Sequence, residues 1–311
     1  MGVWYLTRMP GPVHRGALPE LTADQEIVEN NLRKTVSYVA GHIGERSVIA
    51  YDNLQKTAQF IEISFHAMGY DVHSQDYTAQ MRKVRNLVAE LPGSSKANEI
   101  VVIGAHYDTV ADCPGADDNT SGVAGLLELA RLLHGSHPER TIRFVAFVNE
   151  EPPWFQTEDM GSLVYAKELK RKRENVIAAV SLETIGMYSD EEGSQQYPAV
   201  LGSLYPKQGN FIAFVGNVSS AALVRRSVAS FRRTVSFPAE GAAAPAGITG
   251  VSWSDQWSFW QQGYPAVMVT DTAPFRNPNY HRPSDTPDTL DYKRMALVVS
   301  GLKGVVEDLA R

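Results

Sequence analysis

One stretch constrains this chain more than any other: residues 101–133, VVIGAHYDTVADCPGADDNTSGVAGLLELARLL. A run of apolar residues stops at His106 and Asp108. A short loop with Pro114 and Gly115 then leads to Asp117, Asp118 and Asn119. From Gly122 to residue 133 apolar residues recur at helical spacing, so the stretch predicts a buried strand, a turn and a helix. In open α/β sheets ligands bind outside the carboxyl ends of the strands. A histidine and a pair of acids are therefore expected at a binding edge.

The pattern recurs along the chain. A capping box with Thr22 at the cap and Glu26 in the first turn opens a helix over 22–40. A second helix is expected over 53–68, stopped by Gly69. Strands follow at 71–77, 85–91 and 99–106. The strand at 141–148 ends in Asn149, Glu150 and Glu151, and the apolar run 176–182 ends in Glu183. Helices are expected over 161–169, 221–232, 255–262 and 291–310, with further strands at 211–215 and 265–270.

Residues 1–21 read as an irregular arm. Residues 189–210 read as a surface insertion near a substrate entrance. Residues 237–250 read as a mobile loop, and 277–289 as a polar loop carrying His281. The fold expected for 22–311 is a single α/β domain: an α/β/α sandwich around a central mixed, largely parallel sheet.

The 311 residues carry a formal net charge of −6, which argues against a nucleic-acid partner. No apolar run approaches the roughly 18 residues of a membrane-spanning helix. The first residues lack a long apolar segment of the signal-peptide kind, so a cytoplasmic protein is the default expectation. A secreted form with its leader removed is the alternative. The lone Cys113 excludes a cysteine-built metal site.

Metal would then have to be held by His, Asp and Glu. His106, Asp118, Glu151, Glu183 and His281 all stand at strand ends or in polar loops. Two imidazoles and three carboxylates suit two zinc ions, which take about four N and O ligands each. A single carboxylate can bridge such a pair. No HExxH-type motif occurs, so the site has to be assembled from distant segments.

The motifs HYDTV, PGADDNTSG, NEE, SLETIG and NYHRPSDTPDTLDY also resemble a family. This is the zinc aminopeptidase family that includes plasma glutamate carboxypeptidase, the transferrin-receptor-like carboxypeptidases and glutaminyl cyclase. The resemblance runs from about Leu54 to the C-terminus. It implies a zinc-exopeptidase (phosphorylase/hydrolase-like) fold, a peptide substrate and two zinc ions, with cobalt or manganese as possible substitutes. It assigns Asp118 as the bridging ligand, His106 and Glu183 to one metal, and Glu151 and His281 to the other. Glu150 becomes the general base, and Asp108 the group that orients His106.

Two departures stand out. The family residue at position 183 is usually Asp, and Gln256 in SDQW stands where relatives often have His, next to the expected substrate pocket. Competing functions are a single-zinc glutaminyl cyclase, a carboxypeptidase using Arg276 or Arg282 for the substrate carboxylate, and a catalytically silent binding protein. Oligomeric state is left open.

Blander roles are expected elsewhere: helix capping for Asp117, turn or capping for Asp285, and small-residue packing for Cys113. The arginines at 225, 226, 232 and 233 read as a solvated helix face. Trp154, Phe155, Trp253, Trp257 and Trp260 read as core or pocket wall.

Overall fold

The computed structural model describes residues 2–198 and 201–311. A short helix α1 (Val3–Thr7) precedes α2 (Ala23–Val36). Thr22 caps α2, and its capping-box partner is Gln25 rather than Glu26, because the reciprocal bond needs the third helical residue. The helix widens into a π-type turn at Ser37–Ile43. Next come α3 (Tyr51–Ala67), a hairpin of β1 (Val72–Ala79) and β2 (Arg82–Leu91), and β3 (Lys96–His106). Then follow α4 (Gly122–Leu133), β4 (Arg140–Phe147), α5 (Gly161–Lys172) and β5 (Asn175–Glu183). The C-terminal part contains β6 (Ile212–Asn217), α6 (Ala221–Thr234), β7 (Ala239–Ala244), α7 (Gln256–Gln261), β8 (Ala266–Thr270) and α8 (Tyr292–Leu309).

The strands form one sheet in the order β1-β2-β4-β3-β5-β8-β6-β7. β4, β3, β5 and β8 run parallel, so their carboxyl ends lie along one edge. β2 joins β4 antiparallel, and β6 joins β8 antiparallel. β3 is buried on both faces. Val101, Ile103 and Ala105 pack into a large core with α2, α3, α4, α6 and α8, while Ile100 and Val102 pack into a smaller one with α5 and α7. That alternation explains the unbroken apolar run: a strand covered on both sides has no polar face. Chain connections leave β3 for β4 on one side and return to β5 on the other. The edge above β3 is therefore a topological switch point, where a crevice opens. No helix among the described residues is long and apolar enough to cross a membrane.

Two expectations are corrected. Part of the supposed mobile loop 237–250 is the edge strand β7, paired parallel to β6. Its sequence AEGAAA has low strand propensity, but small residues are what the site needs. A Cβ at Gly241 would come within 2.9 Å of Met9 and Val228 atoms. The expected solvated face on α6 holds for the exposed Arg226 and Arg233 but not for Arg225 and Arg232. Arg232 donates to the carbonyls of Met9, Pro10, Gly11 and Ala239. Arg225 donates to Tyr5 and Arg8 carbonyls and lies over the Tyr5 ring. Arg226 and Arg233 both pair with Asp308. Two of these four arginines thus fasten the N-terminal arm beside β7, covering an edge strand that would otherwise be open.

Arg46 has no counterpart in the sequence reading. Its side chain is fully buried. It donates to the carbonyls of Tyr107 (2.8 Å), Gly44 (2.9 Å), Pro114 (2.5 Å) and Gly115 (3.0 Å), tying the segment before α3 to the loop that leaves β3. Arg46→Met removes those donations while keeping much of the volume. Leaving several buried carbonyls short of a donor is expected to lower unfolding free energy by about 3–5 kcal/mol. Denaturant titration measures this, and a loss below about 1 kcal/mol would contradict it.

Candidate metal centre

The carboxyl ends of β3, β4 and β5 each deliver a side chain to one point. β3 ends in His106 and β5 in Glu183. After β4, Asn149 adopts a left-handed conformation (φ 60°), which Asn tolerates better than most residues. This turn points the Glu150 and Glu151 N–H groups at the Asp108 carboxylate, at 3.1 and 3.0 Å. His281, also left-handed (φ 57°), stacks on Tyr280 with ring centroids 3.9 Å apart.

Asp118 lies in the irregular turn Ala116–Ser121 ahead of α4. That turn is bonded to its neighbours throughout. The Asp285 carboxylate accepts the N–H groups of Asp117 (2.9 Å) and Asp118 (3.1 Å). Asn119 donates to the Leu182 carbonyl and accepts from the Thr184 N–H. Asp117 accepts from the Gly186 N–H (2.9 Å) and from the Asn277 side chain (2.7 Å). Two expectations change accordingly. Asp117 does not cap the helix, and Asp285 is more than a turn residue. Both hold the loop that presents Asp118.

Asp118 divides its two oxygens. Oδ1 lies 3.3 Å from His106 Nε2, and Oδ2 lies 3.1 Å from His281 Nε2. Glu183 Oε2 is 3.2 Å from His106 Nε2, and Glu151 Oε2 is 3.4 Å from His281 Nε2. Two donor groups result, His106–Asp118–Glu183 and Asp118–Glu151–His281, each with its ligand atoms within 4.8 Å of one another. Glu150 stands beside them, 3.8 Å from His106 Nε2.

All seven residues singled out in the sequence thus meet at one place. Around His106, the Asp108 backbone carbonyl is nearer Nδ1 (3.3 Å) than its carboxylate is (3.6 Å). The carboxylate has a further task the sequence did not disclose, namely holding the Glu150–Glu151 backbone. The longer side chain at 183 is steadied by Ser254, whose hydroxyl donates to Glu183 Oε2 at 2.6 Å.

Burial shapes the charges. It disfavours the ionised form of Asp118, yet the adjacent His106 and His281 rings hold this carboxyl below the usual range. Burial raises Glu150 well above its ordinary value, and the charges of Glu151 and Glu183 add to this against the pull of His106. Burial also raises Glu183 and pushes Glu151 up to about 8. His106 is held well above its ordinary value: burial opposes its charge, but Glu183 and Glu150 outweigh it. His106 Nε2, Asp118 Oδ1 and Glu151 Oε1 are buried with no hydrogen-bond partner among the described residues. Buried polar atoms are rarely left so. These atoms belong to the two donor groups, and N/O donors in that arrangement fit divalent metal.

Asp255, which the sequence reading passed over, is fully buried beside this cluster. Both of its carboxylate oxygens lack a hydrogen bond, and burial pushes its carboxyl up to about 7. Its neighbour Gln256 does not make the cleft contact that SDQW suggested. It is wholly buried and donates to the Val251 carbonyl. Cys113 is buried with its thiol on the Arg282 carbonyl.

A narrow cleft opens from Glu183 and Tyr280. Its floor is the face of β8, β6 and β7. Its walls include Tyr197, Leu201 and Tyr205 from the 189–210 insertion, with Trp253 and Phe275 opposite. Trp154 is core, as the sequence allowed.

Residues 86–303 match Peptidase family M28. The chain belongs to this family. An uncharacterised Escherichia coli protein, YfbL, is 41% identical over 280 residues, covering 87% of this chain and 85% of its own length. The chain also matches aminopeptidase YwaD of Bacillus subtilis at 36% identity over 121 residues, 39% of this chain but only 25% of that protein. Two solved structures share the fold. BSAP, a zinc aminopeptidase from Bacillus subtilis, has a TM-score of 0.72 at 15% identity, covering 91% of this chain and 95% of its own. The glutaminyl cyclase of Fimbriiglobus ruber has a TM-score of 0.66 at 20% identity, covering 94% and 99%. At such identities the likeness is one of fold, and the fold serves both reactions.

The donor groups predict a pH dependence. His281 is pushed up to about 10: burial opposes its charge, but Asp118 and Glu151 outweigh it. His281 and Glu151 both hold protons more tightly folded than unfolded. Their stabilising contribution is whole below the unfolded values, 6.5 for His281 and 4.5 for Glu151. It is lost as pH rises through the folded ones, about 10 and about 8. Chelator-treated protein should therefore unfold more easily as pH is raised from 6.5 towards about 10. Added zinc should restore most stability at the alkaline end, because metal binding requires deprotonated ligands. Thermal melts across this range test it, and a flat profile with no response to zinc would contradict it.

Proposed function

We propose that this M28 chain is a zinc-dependent aminopeptidase. The observation that carries the reading is Asp118, whose two oxygens face two separate donor groups while Glu150 stands alongside. Asp118, His106 and Glu183 would hold one zinc, and Asp118, Glu151 and His281 the other. The chemistry zinc supplies in such a site is acidification of a bound water and polarisation of the scissile carbonyl.

The chain's own residues supply the rest. Glu150 is buried, and its raised pKa suits a group that takes a proton from the attacking water and returns it to the leaving amine. Asp108 fixes the Glu150 and Glu151 backbone, so base and ligand move together. Ser254 and the His106 ring limit the freedom of Glu183.

Aminopeptidase is favoured over carboxypeptidase by the charge of the cleft. Among the described residues, no Lys or Arg lines it. Arg276 is buried and donates to Gln195 and to the Met187 and Phe211 carbonyls, so it is committed within the protein. Arg282 is exposed and does not line the cleft. A substrate carboxylate finds no cation here, whereas a free α-amine finds acids. Single-zinc cyclisation would need only one donor group, and the second is complete in this chain.

After reconstitution with zinc, cobalt or manganese, aminoacyl anilides and short peptides should lose N-terminal residues. If they stay intact, the reading fails. Glu150→Gln is expected to lower turnover by about 10²–10⁴-fold while metal content by elemental analysis is unchanged. Asp118→Asn should lose metal as well as activity, since both donor groups share that side chain.

A further inference from the structure

The cleft floor carries a row of residues that the assignments above leave partly unused. Glu183 pairs with Thr270, Thr270 with Ala213, and Ala213 with Glu240, across the adjacent strands β5, β8, β6 and β7. Residues paired in this way present side chains to the same face of a sheet. All four line the cleft. Glu240 thus stands three strand spacings, about 14 Å along the floor, from the ligand-bearing Glu183. Thr270 and Ala213 lie between them, the adjacent row of the floor is Met268, Val215 and Ala242, and the walls include Tyr197, Tyr205, Trp253 and Phe275.

Glu240 and Glu183 are the charged side chains lining the cleft among the described residues. Glu240 accepts no hydrogen bond from any described residue. Arg232 pairs with it electrostatically at 3.7 Å but gives it no hydrogen bond, because the guanidinium N–H groups that bond go to the carbonyls of Met9, Pro10, Gly11 and Ala239. The hydroxyls of the wall residues Tyr197 and Tyr205 donate elsewhere, to the Pro206 and Gly241 carbonyls. Arg15 adds charge from the exposed arm. A half-buried carboxylate with open acceptor capacity therefore stands at the far end of an apolar, aromatic trough.

We propose that Glu240 is the specificity-determining residue of this cleft, and that it selects a long side chain with an apolar stem and a cationic tip, as in an N-terminal arginine or lysine. The stem would lie on Met268, Val215 and Ala242, with the aromatic walls beside it. The tip would meet Glu240, and aromatic faces nearby favour a cation further. The substrate class named here rests on the aminopeptidase reading, but the recognition does not require turnover.

The test is therefore equilibrium binding to zinc-loaded Glu150→Gln protein, by calorimetry. The probes are L-argininamide against L-citrullinamide, which is its uncharged near-isostere, and L-lysinamide against L-norleucinamide. The charged member of each pair is expected to bind at least about tenfold more tightly, the scale of one charge-assisted hydrogen bond. Glu240→Gln should bring each ratio within about threefold of unity without weakening L-norleucinamide. Ratios within about threefold in the protein that retains Glu240 would overturn the proposal, whether or not that variant folds. So would a tenfold preference that survives Glu240→Gln. A charged preference in a protein that hydrolyses no peptide would leave this proposal standing and remove the peptidase reading instead.

Discussion

A buried carboxylate is tolerated only where something answers its charge, and this fold gathers an excess of them at one edge of its sheet. Asp108, Asp117, Asp118, Glu150, Glu151, Glu183, Asp255, Asp271 and Asp285 are all buried. Two imidazoles and backbone N–H groups answer part of that charge. Burial pushes Glu151, Asp255 and Asp285 up to between about 7 and about 8. The remaining imbalance is what divalent cations relieve, and the hydrogen-bond-free atoms of His106, Asp118 and Glu151 lie where the two donor groups converge.

The outer acids hold backbone and the inner ones are left free. Asp285 takes the N–H groups of residues 117 and 118, Asp108 those of 150 and 151, and Asp117 that of Gly186. Each such bond fixes a loop at the place where it presents an inner carboxylate. Left-handed conformations at Asn149, Thr184, Thr272 and His281 cluster around the same edge. They are the kind of backbone strain that a surrounding hydrogen-bond network sustains near functional sites. Arg46 completes the frame from below by gathering carbonyls of the loop after β3.

Much of this was legible in the chain. The central strand, α4 and the strand after it were readable because a doubly covered strand must be apolar throughout and a helix must repeat at its own period. His106, Asp108, Glu150, Glu151 and Glu183 drew notice because they stand where apolar runs stop, whereas Asp118 and His281 lie in loops, and the roles proposed for all seven came from the family resemblance. β7 was not readable, since AEGAAA owes its place to close packing against Met9 and Val228 rather than to propensity. The roles of Arg225 and Arg232 were not readable either, because the arm carbonyls they hold lie more than 200 positions away along the chain.

The sequence by itself determined the strand-and-helix alternation, the α/β class and the residue types that meet at the site, because periodicity and punctuation are local properties. Only the tertiary structure decided how those residues share their work. It split the two oxygens of Asp118 between two groups, turned Asp108 from one histidine's partner into the anchor of Glu150 and Glu151, and moved Gln256 out of the cleft. It also placed Glu240 in register with Glu183 across four strands. The physical reason is the same in each case. Hydrogen-bond direction and strand register depend on segments far apart in the chain, and neither leaves a mark on the residues nearby.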